Sequence, residues 1–241
     1  MPTIIRSEAP QDVLAIRQVN ELAFAQCDEA DLVDRLRQSD ADFLSLVADN
    51  DGDVVGHILF TPVAIEREEG SVVGMGLAPM AVLPGLQRRG VGSLLITRGL
   101  QLLRERECPF VIVIGHEDYY PRFGFEPASR HEVSCQWEGV PDAALMILVL
   151  EPNALLGISG VARYRKEFDA NVQARYVARA SRPTVYRTKL GVRNSGTNVD
   201  LAAREPRIQV EQERELTQGS RRWNLCCRHL RKRGTATTSM P

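Results

Sequence analysis

The segment Phe110-Val-Ile-Val-Ile114 constrains this chain more than any other. Such a continuous β-branched run cannot alternate core-facing with solvent-facing positions, so it reads as a strand buried on both faces, beside a parallel neighbour. Upstream, Gly90 to Glu107 carries Val91, Leu94, Leu95, Leu102 and Leu103 at helical spacing, and Pro109 stops it. Before that helix, Val72 to Val82 is a long extended run. Strand, crossover helix and doubly buried strand make a β-α-β unit over Val72 to Ile114.

Thr3 to Arg6 reads as a short first strand, and Val13, Leu14, Ile16, Val19 and Leu22 to Phe24 mark a helix ending near Cys27. Ala30 to Gln38 is a second short helix with Leu32, Val33 and Leu36 inward. Phe43 to Ala48 turns through Asn50-Asp51-Gly52-Asp53 into a return strand from Val54 to Val63, the pattern of a hairpin. A charged turn at Glu66 to Gly70 follows. Beyond the aromatic segment Tyr119 to Phe125, the stretches Glu132 to Trp137 and Ala144 to Leu150 complete a mixed α/β sheet.

The formal net charge of −1 hides two unlike parts. Residues 1–168 carry 15 Lys and Arg against 25 Asp and Glu, whereas residues 169–241 carry 15 against 6. In the second part Leu, Ile, Val and Phe make 12 of 73 residues, below the roughly 20% at which a core forms. It reads as a basic, Arg-rich, mostly disordered tail. The cluster from Arg221 to Arg233 around Trp223 offers a nucleic-acid-binding alternative, although no motif orders those charges. Arg6 and Glu8 interrupt the start before any apolar run, and no stretch approaches the roughly 18 apolar residues of a membrane span, so a cytoplasmic protein without membrane attachment is expected. The five cysteines, at positions 27, 108, 135, 226 and 227, contain no CxxC pair, which argues against a disulfide framework or a zinc site.

Chemistry concentrates at Gln87-Arg88-Arg89-Gly90-Val91-Gly92, between the strand ending at Val82 and the helix. The N–H groups of a first helical turn point outward together at the positive end of the helix dipole, and small residues let a phosphate approach them. Gly90 and Gly92 clear the space, and Arg88 and Arg89 add charge. A nucleotide P-loop begun at Gly85 needs Lys and Ser or Thr after Gly90, where Val91 and Gly92 stand. A dinucleotide fingerprint begun at Gly90 needs Gly or Ala at position 95, where Leu95 stands.

The loop matches the pattern Q/R-x-x-G-x-G/A and so resembles the pyrophosphate-binding signature of the GNAT superfamily N-acetyltransferases. Gly76-Leu-Ala-Pro-Met-Ala-Val82, Tyr119-Tyr-Pro-Arg-Phe-Gly-Phe125, Gly157-Ile-Ser-Gly-Val161 and Tyr164 to Phe168 widen the resemblance to the YhbS-like subfamily, over residues 3–168. The resemblance implies a GNAT-like acyl-CoA N-acyltransferase fold over residues 1–168, a mixed central sheet flanked by helices. It implies acetyl-CoA as cosubstrate, with the backbone of Met80, Ala81 and Val82 along the pantetheine arm and Gln87, Arg88, Arg89, Gly90, Val91 and Gly92 at the pyrophosphate. Tyr120, four residues before Gly124, falls where many members keep a tyrosine near the coenzyme A sulfur, and would assist the leaving thiolate as an acid.

The acetyl group is then expected to pass directly to a primary amine in a ternary complex, without a metal; a homodimer is a family-level expectation. The base that deprotonates the amine is not fixed, because Val72 to Val82 holds no Asp or Glu, and Glu21, Asp28, Glu29, His57, His116 and Glu117 all stand as candidates. Cys135 reads as a packed thiol. Two rival readings stand beside catalysis: a non-catalytic acyl-CoA sensor or interaction module, and a nucleic-acid-associated protein acting through its basic tail.

Overall fold

The computed structural model describes residues 3–39, 42–67, 70–151 and 159–169. The expected tail therefore lies outside the described residues except for Asp169, as do Gly157 and Ile158 of the quoted motif. β1 (Ile4–Ser7) leads into α1 (Val13–Phe24) and α2 (Asp28–Gln38). A meander of β2 (Leu44–Asn50), β3 (Asp53–Arg67) and β4 (Gly70–Val82) follows, and α3 (Val91–Glu105) crosses over to β5 (Phe110–Ile114). β6 (Glu126–Pro127), β7 (Val133–Cys135), β8 (Leu145–Val149) and β9 (Gly160–Arg163) complete the described strands.

The sheet runs β1-β2-β3-β4-β5-β8-β6, with β9 pairing with β3 and β7. β4 and β5 are parallel, as the crossover helix requires, and so are β7 and β9. The long strand β3 divides one edge between two partners: β2 pairs with it from Asp53 to Phe60, and β9 from Ala64 to Glu66.

Alternation along β5 divides the core. Phe110 and Ile112 join Ile16 and Val19 of α1, Leu32, Val33 and Leu36 of α2, and Leu59 and Val63 of β3. Val111 and Val113 join Val91, Leu95, Ile96, Leu100 and Leu103 of α3, with Ile58 and Phe60. β5 is thus buried on both faces, as its sequence predicts, by helices on opposite sides of the sheet. α2 has Asp28, Glu29 and Asp31 in its first turn and Arg35 and Arg37 in its last, which complements its dipole. Arg17 of α1 binds it there, through Asp31 at 2.7 Å and through Asp34, while also holding Glu21 at 2.9 Å.

Some boundaries differ from the sequence reading. β3 runs on to Arg67, because β4 pairs with it along the whole length, from Gly56 opposite Val82 to Arg67 opposite Gly70. α3 ends at Glu105, two residues early, because Glu107 turns left-handed at φ 56° and Cys108 N–H closes onto the Leu103 carbonyl at 3.0 Å. No described helix is long and apolar enough to cross a membrane.

The division of the core predicts unequal responses on the two sides of a helix or strand. Ile112→Ala, at a fully buried position, should lower the unfolding free energy by about 3 kcal/mol in urea titration. Leu94→Ala, at a position 48% exposed on α3, should change it by less than about 0.5 kcal/mol. Comparable losses would contradict the assignment of faces.

Candidate active site

The registered pairs between β4 and β5 are Met75 with Val111 and Gly76 with Ile112. Beyond them β4 continues to Val82 along β3. Alternate residues of a strand turn N–H and C=O toward each edge, so Leu77 to Val82 present backbone polar groups on the side that β5 has left. Within this stretch β4 carries a bulge: Ile58 pairs with Met80 and Phe60 with Leu77, so Ala78 and Pro79 together stand opposite Leu59. The side chains of Met80 and Val82 pack on the α3 side and that of Ala81 on the α1 side. Their side chains belong to the core while their main chain lines the gap.

A short loop carries the chain from the end of β4 to α3. Pro84–Leu86 makes one 3-10 turn, and Gln87 Nε2 donates to the Val82 carbonyl at 3.0 Å. This bond ties the loop back to β4. Arg88 and Gly90 are left-handed, at φ 61° and 89°, and Gly90 caps α3 with open space where a Cβ would be. Arg88, Arg89 and Gly90 are exposed, whereas the Val91 side chain is in the core, leaving its backbone as the group that can meet a ligand. The first turn of α3 contains no acidic residue. Gap and helix terminus are therefore contiguous, with the helix end able to bind an anion.

Tyr120 opens the 3-10 turn Tyr120–Phe123 just beyond β5 and is 7% exposed. Its ring lies so close over Gly115 that a Cβ there would come within 2.2 Å of it, and it meets Phe125 edge-on at 5.7 Å. Burial, and secondarily Tyr119, push its phenol pKa above the ordinary tyrosine value. It therefore stays protonated and can donate a hydrogen bond, but parts with the proton reluctantly.

The candidate bases separate clearly. His116, Glu117 and Asp28 are exposed. Glu21 is buried against Arg17, and Glu29 is buried with Gln26 Nε2 donating to it at 2.9 Å. His57 is fully buried on β3, opposite Ala81. Asn20 Nδ2 donates to its Nδ1 at 3.1 Å, which sets the ring proton on Nε2, facing Ser45 Oγ at 3.1 Å. Ser45 in turn donates to Glu8, which takes two further bonds from Arg37 at 3.0 Å each. Burial alone would raise the Glu8 pKa, but the bonds from Arg37 and Ser45 prevail and hold it below the usual value. His57 is thereby a neutral link in a structural chain. The sequence reading missed its partners, although a signal existed: Asn20 stands one turn after Ile16 on the apolar face of α1.

Cys135 is partly buried with its thiol pKa raised by burial, the behaviour of a packed cysteine. Among the described residues no three His, Cys, Asp or Glu side chains converge as a metal set.

The acetyltransferase (GNAT) family model matches residues 13–125, and the chain belongs to this family of N-acetyltransferases. The uncharacterised N-acetyltransferase YhbS of Escherichia coli K12 is 35% identical over 167 residues, which are 69% of this chain and 98% of that protein. The uncharacterised N-acetyltransferase YjhQ of the same strain is 45% identical over 120 residues, 49% of this chain and 66% of that one. The crystal structure of Escherichia coli YhbS in complex with CoA matches with a TM-score of 0.65 at 34% identity, covering 69% of this chain and 91% of that one. A GNAT family acetyltransferase from Brucella melitensis in complex with acetyl-CoA matches with a TM-score of 0.58 at 36% identity, covering 70% and 99%.

The buried histidine predicts a pH effect on stability. Burial lowers its pKa from 6.5 to about 4, with Glu8 opposing and Arg37 assisting. The unfolded chain therefore binds a proton between those values that the folded chain refuses, so stability is complete above pH 6.5 and is lost as pH falls toward 4. The wild-type protein should lose about 2 kcal/mol between pH 7 and 5 in urea titrations, and His57→Gln should lose little over that interval. Equal losses would mean that His57 charges freely in the folded protein.

Proposed function

We propose that this protein binds acetyl-CoA with its thioester in the gap between β4 and β5 and its diphosphate on the N-terminus of α3, and transfers the acetyl group directly to a primary amine. The observation that carries this reading is the continuity of the opened β4 edge with the glycine-capped helix end. The related structures holding CoA and acetyl-CoA support it. Backbone groups of Met80 to Val82 would pair with the pantetheine arm as a neighbouring strand would, and an N–H there would polarise the thioester carbonyl.

In the ternary complex the free amine attacks the carbonyl carbon, forming the C–N bond and a tetrahedral intermediate whose collapse breaks the C–S bond. The nitrogen gives up a proton and the departing sulfur takes one, leaving an N-acetylamine and coenzyme A thiol. Tyr120 assists the sulfur by donating a hydrogen bond as negative charge develops there. Most of the rate enhancement comes from holding both reactants together against oriented backbone dipoles. The excess of Asp and Glu in residues 1–168 favours a cationic acceptor, neutralised before attack.

The sensor reading keeps one structural point in its favour: His57, the one candidate base nearest β4 in the ladder, is locked neutral inside the fold. Turnover decides between the two. Calorimetry on the full chain should show acetyl-CoA binding at micromolar affinity that Gly90→Ala largely retains and Gly90→Glu abolishes, because both substitutions strain the same left-handed residue but only one brings negative charge to the diphosphate. Tyr120→Phe should lower kcat at least tenfold with affinity for acetyl-CoA nearly unchanged. Binding without turnover on any amine would favour the sensor, and no binding by the folded wild-type protein would remove both readings.

A further inference from the structure

We propose that Tyr119, with Arg122 stacked on its ring, is a cofactor-binding residue in its own right, its hydroxyl donating a hydrogen bond to the diphosphate seated on α3. This rests on the acetyl-CoA reading above and assigns it a contact outside the glycine signature. A Cβ built on Gly92 would lie 2.8 Å from Tyr119 Oη and 3.6 and 3.7 Å from Cε and Sδ of Met80. The phenol oxygen therefore stands against the first turn of α3, beside a residue of the opened β4 edge. A ligand passing from that edge to the helix terminus passes this oxygen.

The hydroxyl is placed and unspent. Among the described residues Tyr119 Oη makes no hydrogen bond, whereas its ring is held on three sides. Tyr120 meets it edge-on at 5.2 Å, Phe123 at 5.6 Å, and the Arg122 guanidinium lies 4.4 Å from the ring centroid. Arg122 Nε also donates to the Tyr119 carbonyl at 3.2 Å. A donor with few directions open to it contributes more to binding than one that must be ordered first. Arg122 brings, from a different segment than Arg88 and Arg89, another cation near a helix end with no acidic residue in its first turn. Gly92 follows from the same contact, since an added methyl group would displace the hydroxyl.

The test uses the full chain, with CoA and dephospho-CoA titrated calorimetrically into the wild type, Tyr119→Phe, Gly92→Ala and the double variant. Loss of a hydrogen bond to a charged oxygen should raise Kd about tenfold in Tyr119→Phe. The factor should be the same for CoA and dephospho-CoA, which share the diphosphate. Gly92→Ala should weaken binding on its own but add little in the Tyr119→Phe background, because removing the hydroxyl makes room for the methyl group. Unchanged Kd in Tyr119→Phe, a loss seen with CoA but not with dephospho-CoA, or additive effects in the double variant would each overturn the assignment. A wild-type protein that fails to bind CoA would instead remove the acetyl-CoA reading on which it rests.

Discussion

Parallel strands β4 and β5 share the pairs Met75 with Val111 and Gly76 with Ile112, after which β4 runs on to Val82. Backbone N–H and C=O groups along such an edge must find partners or water, so the parting creates a place where an extended ligand can be held by main chain alone. The surrounding fold keeps the edge in place. The stem is fixed by β5, whose residues pack alternately against α1 and α2 on one side and α3 on the other. The opened edge is fixed by β3, which accompanies β4 to its end. Neither strand can follow the other without giving up buried contacts.

Burial also determines which side chains near this edge can exchange protons. His57 pairs in register with Ala81, one strand away from the gap, yet desolvation keeps it neutral and both ring nitrogens are engaged by Asn20 and Ser45. Tyr120 lies at the end of β5 with its ionisation suppressed by the same means. A buried phenol of this kind supplies a dipole to a developing thiolate more readily than a proton. In the proposed reaction, the attacking nitrogen must accordingly lose its proton to solvent or to an exposed group such as His116 or Glu117, both beyond β5.

The architecture was legible wherever a segment carried its own periodicity. The run Phe110 to Ile114 announced a doubly buried strand, and the spacing of Val91, Leu95 and Leu103 announced the crossover helix that makes it parallel to β4. β6 and β9 were not legible, because two residues, or four with Gly160 and Arg163 at their ends, hold no pattern; their place comes from the strands they join. The glycine signature located the helix terminus because its function is local, a turn and a cap. The lock on His57 was hidden for the opposite reason: Glu8, Asn20, Arg37 and Ser45 come from four segments and meet only in the folded protein.

Neighbouring tyrosines show how a local geometry divides labour that residue type cannot. Tyr120 begins a 3-10 turn and Tyr119 caps it; with three residues per turn, successive side chains there diverge by about 120°. One ring consequently turns inward over Gly115 and Phe125, just beyond β5, while the other reaches across to Gly92, in the first turn of α3. Their edge-on contact at 5.2 Å couples the two positions. In the proposed complex Tyr119 would act on affinity at the diphosphate and Tyr120 on the departing sulfur, so that one packed aromatic segment serves two ends of the ligand through separate hydroxyls.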